Sequence, residues 1–412
     1  MRIITIFFIL PSLVSIISLS ESIIEFYEDL LKLYTRNLEL DWTQDKGYGL
    51  YAKKSFNLGE TVIEIPKSLS ISSFSDIPCT NVFQGLSRDS QLIIKLIYYH
   101  CSINTDTHTR YIKSFPSFLP NFPFWNKTHW NFLKNHKFSF EFPLNDPFFL
   151  SDYSSYIKIL QSHQILSSCM HSIENWKWGI SMILSRAFLY NVNNTEELLI
   201  APILDLANYD PSYVEKFWSG YKVGLGGELI LRAERNFAEN EEFVWSYGRK
   251  DKNIMLLMFY GFAVENNPYD YLQYELGDEK SCLEEWTAGK CIYKIKRNEI
   301  NANLLKAIRV KKSGEEVKKI VNLKDFFEDL PSESEGKESK KSLIESMKSY
   351  MKIFRDFVRW DKEFEKEEYT EDQIYREIVK YLKEERKIVL YHYTKMQKLL
   401  LKLMTTQLNI SL

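Results

Sequence analysis

The spacing of apolar and polar positions changes several times along this chain, and each change marks an element. After an apolar leader at 1–20, Ile23, Ile24, Tyr27, Leu30, Leu31 and Tyr34 fall three and four apart and predict a helix over 21–36. Residues 45–72, DKGYGLYAKKSFNLGETVIEIPKSLSIS, switch to short alternating runs such as Thr61–Ile65. Gly47, Gly49 and Gly59 punctuate them and Pro66 ends a strand, which predicts a small antiparallel β unit. Between 90 and 190 the helical period returns in SQLIIKLIYYHCS and NWKWGISMILSRAFLY. Residues 198–265 revert to short strands and turns: LLIAPILDLANYDP, ELILRAERNF and EEFVWSYG. Beyond about residue 275 a helical region is expected. There Ile344, Met347, Met351, Phe354 and Val358 share one face, and Ile388, Tyr391, Lys395, Leu399 and Leu403 mark a second helix. SESEGKESKK, 332–341, is polar and reads as a loop or flexible linker. No internal repeat is visible. A β unit is split by a helical insertion, resumes, and is followed by helices, so distant pieces of chain must meet to make one site.

Composition narrows the picture. A chain of 412 residues suggests about two or three domains. Hydrophobic residues at 45% supply a sizeable core, and aromatics at 15% make rings a natural lining for any cleft. The formal net charge of −2 gives no global electrostatic case for nucleic acid or an anionic membrane. The five cysteines form no CxxC pair and no histidine stands at ligand spacing, so no metal site is expected. Their odd number argues against a fully paired disulfide framework and leaves room for one bridge, such as Cys282 to Cys291.

The leader MRIITIFFILPSLVSIISLS carries Arg2, an apolar run, and Ser18 and Ser20 just before Glu21. It reads as a secretory signal peptide, with an uncleaved anchor or a buried N-terminal helix as alternatives. Sequons at Asn126, Asn193 and Asn409 mildly favour the secretory route. The expected location is the secretory lumen if the leader acts as a signal, and the cytoplasm otherwise. Membrane attachment is expected only if the leader stays on.

Three stretches carry candidate chemistry, and a fourth carries none. Gly47-Tyr48-Gly49, followed by Gly59-Glu60 and Ile65-Pro66, allows backbone to approach a ligand closely. Tyr111–Pro116 and Pro123–Trp125 read as packing. WGISMILSRAF leads into LIAPILDLANYDP, with Ser185, Arg186, Phe188, Pro202, Asp205 and Asn208. ENEEFVWSYGRKDKNIMLLMFYGF holds Tyr247, Asn253, Tyr260, Gly261 and Phe262. No GxSxG, HExxH or P-loop pattern competes, and the acidic run DKEFEKEEYTED reads as solvated surface. Alone, Tyr247 would be a packed tyrosine at a strand end and Arg186 a surface ion pair.

Taken together, these stretches resemble the SET-domain protein methyltransferases, in the group related to the Rubisco large-subunit methyltransferase. The resemblance spans about residues 25–405. It implies an α+β fold, a β-clip of small mixed sheets with a pseudoknot where 205–211 meets 245–248. A helical insertion interrupts the clip and an all-α C-terminal domain follows it. The implied layout is 21–77 and 191–274 for the two SET parts, 78–190 for the insertion, and 275–412 for a helical substrate-binding domain. The implied cofactor is S-adenosyl-L-methionine, contacted by Gly47, Tyr48 and Gly49 and lined by Arg186, Asp205, Asn208 and Tyr209. Asn208 would hold the amino-acid end, and Arg186 could grip a carboxylate. Tyr247 falls on the catalytic tyrosine, with Tyr260 and Phe262 on the substrate side. The chain departs from the family at Tyr209, where a histidine is usual. The reaction implied is in-line methyl transfer to a protein lysine by a monomer. Histidine is the alternative acceptor, and a catalytically inactive protein-binding module is the reading of another class.

Overall fold

The structure is a computed structural model. It describes residues 21–43, 47–75, 77–78, 80–136, 138, 148–165, 167–192, 195–211, 222–224, 226–245, 247, 251–276, 282–287, 290–313, 336–358 and 372–408. The leader, the sequons at Asn193 and Asn409, Gly248 and the acidic run up to residue 371 lie outside these. The chain divides into two compact units: 1–125, 143–251 and 255–262 form one, and 126–142, 252–254 and 263–412 the other.

The first unit opens with α1 (Glu21–Tyr34) and β1 (Leu38–Thr43), β2 (Gly47–Ala52), β3 (Thr61–Ile65) and β4 (Ile71–Ser72). Helices α2 (Arg88–Cys101) and α3 (Thr107–Lys113) follow. Next come α4 (Lys127–His136), which belongs to the other unit, then α5 (Phe148–Ser162) and α6 (Ile173–Arg186). Strands β5 (Phe188–Val192), β6 (Thr195–Ile200), β7 (Lys222–Val223), β8 (Leu229–Arg232) and β9 (Glu242–Phe243) complete its sheets. The three sheets run β1-β2-β9, β4-β6-β5 and β3-β8-β7. Each joins strands from before the helical insertion to strands from after it. Serine side chains start the helices: Ser87 accepts from Ser90 N ahead of α2, and Ser172 from Asn175 N ahead of α6. One core holds the unit together, with Tyr27, Leu50, Ile63, Leu92, Trp176, Leu199, Leu231, Phe243 and Trp245 all buried. Each such large apolar side chain is worth about 1.5–3 kcal/mol of burial.

The sheets expected to be mixed are antiparallel. Short connections such as β1 to β2 and β5 to β6 permit only that arrangement. Among the described residues the one parallel pairing is an isolated bridge, Tyr209 to Trp245. It is the crossing that the sequence placed between 205–211 and 245–248.

The second unit contains α4, the start of α7 (Asn253–Tyr260) and β10 (Tyr271–Glu275). It continues with β11 (Glu285–Thr287), β12 (Lys290–Lys296), α8 (Ala302–Ser313), α9 (Gly336–Val358) and α10 (Gln373–Leu408). Two expectations need correction here. The region beyond 275 is not all-α, because β10-β12-β11 forms a three-stranded antiparallel sheet before the helices begin. In KCIYKIK, Cys291, Tyr293 and Ile295 are buried while Lys294 and Lys296 point outward, a period of two. The second correction is that residues 336–341 of the supposed linker open α9, since lysine and glutamate extend a helix at little cost. On α9 and α10, Leu343, Met347, Tyr350, Phe354, Ile388, Val389 and Met396 pack as one core.

A neutral histidine is built into that core. His392 Nε2 lies 2.6 Å from Lys296 O and must donate to it, so Nδ1 accepts from Tyr350 Oη at 2.7 Å. Burial pushes the imidazole down to about 4.

Two disulfides are formed, Cys101–Cys169 in the first unit and Cys282–Cys291 in the second. The second was anticipated and the first was not. Its cysteines are 68 residues apart, and only the packing of α2 against α6 brings their neighbourhoods together.

Candidate active site

The crossing fixes the site. Trp245 N donates to Asn208 O at 3.0 Å, and Asp210 N to Trp245 O at 3.2 Å. Two backbone bonds therefore clamp residues 208–210 against 245. Consecutive side chains on a strand-like stretch leave it on opposite faces, so Asn208 and Tyr209 serve two different surroundings.

Asn208 faces the glycine turn. Its Nδ2 donates to Glu242 Oε1 at 2.7 Å and to Tyr48 O at 3.3 Å. Gly49 lies under these groups. A Cβ there would sit 2.9 Å from Asn208 Nδ2 and 2.9 Å from Glu242 Oε1, closer than such atoms approach. Gly47 has φ +77° and open space around it, so it serves the turn and not a contact. Gly47, Tyr48 and Gly49 form the first half of β2, paired with Thr43, Trp42 and Asp41.

Tyr209 faces the tyrosine. Its ring centroid is 5.2 Å from that of Tyr247 and 6.2 Å from that of Phe262. Tyr247 is 5.3 Å from Tyr260, and Tyr260 is 6.0 Å from Phe262. The four rings thus close a circuit, at separations normal for interacting aromatic pairs. Trp245 backs Tyr247 at 5.3 Å and is itself buried. All four rings of the circuit are only half-buried, so the cluster reaches solvent.

Local backbone features place these rings. Tyr247 adopts φ +52°, a left-handed conformation that is uncommon for a bulky residue and concentrates at functional sites. Gly261 ends α7 at φ +82°, its N–H bonding back to Leu256 O and Leu257 O. That reversal returns Phe262 beside Tyr260. A side chain at 261 would meet Pro120 Cδ at 2.9 Å.

Behind the circuit lies a buried charge network. Arg186 Nη1 pairs with Asp205 Oδ2 at 2.8 Å, and Tyr111 Oη donates to the same oxygen at 2.9 Å. The Arg186 guanidinium also stands 4.6 Å over Phe115. Here the carboxylate that Arg186 grips is the protein's own. Burial raises the Asp205 carboxyl and Arg186 opposes it; the Tyr111 phenol is held well above its usual range, by burial first and Asp205 next. Burial and then Tyr260 likewise raise the Tyr247 phenol. Tyr247 therefore stays a neutral phenol at ordinary pH.

The structure brings Gly49, Tyr48 and Asn208 together on one side of the crossing. It brings Tyr209, Tyr247, Tyr260 and Phe262 together on the other, with Arg186 and Asp205 in the network behind. Sequence reading passed over Glu242, Trp245 and the Tyr111 hydroxyl. Glu242 and Trp245 stand in the run EEFVWSYG, but nothing in that run says that a strand carboxylate meets an asparagine 34 positions away. Among the described residues no cluster of His, Cys, Asp or Glu could hold a metal ion, and no helix is long and apolar enough to cross a membrane.

A clip of small antiparallel sheets, knotted by one parallel crossing and interrupted by helices, is the SET-domain fold. Solved structures of that fold align along nearly the whole chain. The SET domain of LSMT bound to lysine and AdoHcy matches with a TM-score of 0.58 and 16% identity, covering 93% of both chains. Rubisco LSMT bound to AdoMet matches with a TM-score of 0.56 and 16% identity, again over 93% of both. Rubisco LSMT bound to sinefungin and monomethyllysine gives 0.57 at the same identity and coverage. Among curated proteins, SET domain-containing protein 4 of Artemia parthenogenetica is 22% identical over 282 residues, 63% of this chain and 67% of that protein. No family profile matches the chain.

Proposed function

We propose that this protein is an S-adenosylmethionine-dependent protein N-methyltransferase whose acceptor is a lysine side chain, with Tyr247 as the positioning tyrosine. The observation that carries the reading is the four-ring circuit around Tyr247, set across one backbone crossing from the Gly49 cradle. Similarity to solved SET domains bound to AdoMet, AdoHcy and lysine supports it.

The residues present fit the cofactor. Gly49 makes room for the Asn208 and Glu242 head groups, and Asn208 presents a carbonyl oxygen that no described residue donates to. Tyr48, Gly49, Asn208 and the backbone of Tyr209 would hold it, with Arg186 and Asp205 bracing the wall. When bound, S-adenosylmethionine supplies a methyl group on a positively charged sulfur. The chain's own part is to prepare the acceptor. A lysine begins with a pKa near 10.4 and must reach the site as a neutral amine. Rings from Tyr209, Tyr247, Tyr260 and Phe262 strip water from it and so favour its neutral form. The phenol oxygen of Tyr247 would then accept a hydrogen bond from the amine N–H, which leaves the nitrogen lone pair directed along the line of transfer.

The same proposal places the protein in an oxidising compartment. Four of its five cysteines are paired, as expected outside the reducing cytosol, and the leader reads as a secretory signal.

The test is calorimetric titration of S-adenosylmethionine into protein lacking residues 1–20, followed by incubation with lysine-bearing peptides and mass spectrometry. Micromolar binding and a mass gain on lysine are expected. A mass gain on histidine would move the acceptor, and no binding would leave an inactive binding module.

A further inference from the structure

A carboxylate meets the glycine cradle from β9. Glu242 Oε1 accepts from Asn208 Nδ2 at 2.7 Å, and the backbone carbonyl of Tyr48 accepts from the same nitrogen at 3.3 Å. Both partners are acceptors only. This decides which way the amide points: both N–H bonds of Asn208 are spent, and its Oδ1 is left facing away from them. Among the described residues nothing donates to that oxygen.

We propose that Glu242 is a positioning residue that locks the Asn208 amide, so that the site offers an acceptor, and not a donor, to the α-ammonium of the cofactor's amino-acid end. The inference rests on the cofactor reading above and adds to it a residue and a chemical purpose. An unlocked amide could rotate by half a turn and present its NH₂ group to a cation, which repels it. With Glu242 in place that rotation would set the asparagine oxygen against the Glu242 and Tyr48 oxygens, so the wrong orientation is excluded. Two features place the carboxylate where the lock requires. Glu242 is paired with Tyr51 in the β2–β9 ladder, which fixes its backbone. The missing side chain at residue 49 leaves space for its head group beside the asparagine.

The experiment compares two ligands on two proteins, both lacking residues 1–20. The ligands are S-adenosylhomocysteine and its deamino analogue 4-(5′-adenosylthio)butyrate, which lacks only the α-ammonium. The proteins are the wild type and Glu242→Gln, which can donate as well as accept, so that only the longer bond to Tyr48 O still opposes rotation of the asparagine. Calorimetry, with competition for the weaker ligand, gives all four affinities. The expected result is that Glu242→Gln weakens S-adenosylhomocysteine about tenfold or more, as for loss of a hydrogen bond to a charged group, and changes the deamino analogue less than threefold. Equal weakening of both ligands would mean a merely structural role and overturn the proposal, as would no change for either. Should the wild type bind neither ligand, the cofactor reading itself falls. A second variant, Glu242→Asp, keeps an acceptor-only group and should restore part of the preference for the ammonium. If it behaves like Glu242→Gln, the lock is wrong.

Discussion

The ring of Tyr247 stands 5.2 Å, centroid to centroid, from the ring of Tyr209, although the residues are 38 positions apart in the chain. The contact exists because the crossing clamps residue 209 against residue 245, two positions before the tyrosine. The site is therefore a product of the knot, and its chemistry can be tested without disturbing the knot itself.

Tyr247→Phe keeps the ring and removes the hydroxyl. Methyl transfer should fall by about a hundredfold or more through loss of positioning, while cofactor affinity and the unfolding midpoint stay close to wild type. Single-turnover kinetics beside a thermal melt read both. Unchanged turnover would return Tyr247 to a packing role.

The two glycines of the turn should behave differently. Gly49→Ala drives a Cβ to within 2.9 Å of Asn208 and Glu242, so S-adenosylmethionine binding should be lost or weakened more than tenfold. Gly47→Ala meets nothing within 4 Å and bears only the strain of φ +77°, about 1 kcal/mol. It should lower stability and leave affinity nearly intact. Similar affinity losses in the two variants would contradict the geometry.

Asp270 offers a pH signature. Asn253 donates to it twice, from N at 2.7 Å and from Nδ2 at 2.6 Å, yet burial outweighs these bonds and raises its carboxyl to about 6. In the folded protein the proton stays on up to about pH 6, whereas in the unfolded chain it leaves near pH 4. Between those values the folded state binds more protons, so this group's contribution to stability falls as pH rises, by about 3 kcal/mol in all, and is level above pH 6. Urea denaturation from pH 4 to 7 should show that slope in the wild type and its loss in Asp270→Asn. Parallel curves would refute it.

The Cys101–Cys169 bridge closes a loop of 68 residues, for which chain entropy gives about 4 kcal/mol. Replacing both cysteines with serine should lower stability by a few kcal/mol, and reducing agent should destabilise the wild type more than this variant, which keeps Cys282–Cys291. A variant whose melting is as sensitive to reductant as the wild type would deny this bridge its role.

Asn126 tests the compartment. Its Oδ1 caps α4, accepting from Thr128 N at 2.9 Å and His129 N at 3.0 Å, and residues 126–128 are exposed. The amide nitrogen remains available to a glycan while the cap persists. Full-length protein made in a eukaryotic secretory system should lose mass at this asparagine on glycosidase digestion, and Asn126→Gln should abolish that shift. Protein recovered from the cytosol without a glycan would count against the lumenal reading.

Much of this was legible in the chain. The alternation around Gly47–Ile65 and in EFVWSYG announced short strands, and the run to Phe262 placed the aromatic residues. What escaped depends on contacts distant in sequence. Cys101 meets Cys169 only once α2 lies on α6, and Glu242 meets Asn208 only once β9 joins β2. The strand Lys290–Lys296 was overlooked for another reason. It sits beside strongly helical segments, and its lysines hide a period-two pattern among charges common on helices.

The pairing of Tyr51 with Glu242 joins residues 191 positions apart. A growing polypeptide cannot make that pair, nor the Tyr209–Trp245 bridge, until nearly 250 residues have been synthesised. Contacts of such long range form late and slowly, so the crossing should be among the last parts of its unit to mature. Any truncation or premature stop before residue 242 removes the floor of one half-site and the clamp of the other together. Partial products would then lack both features at once.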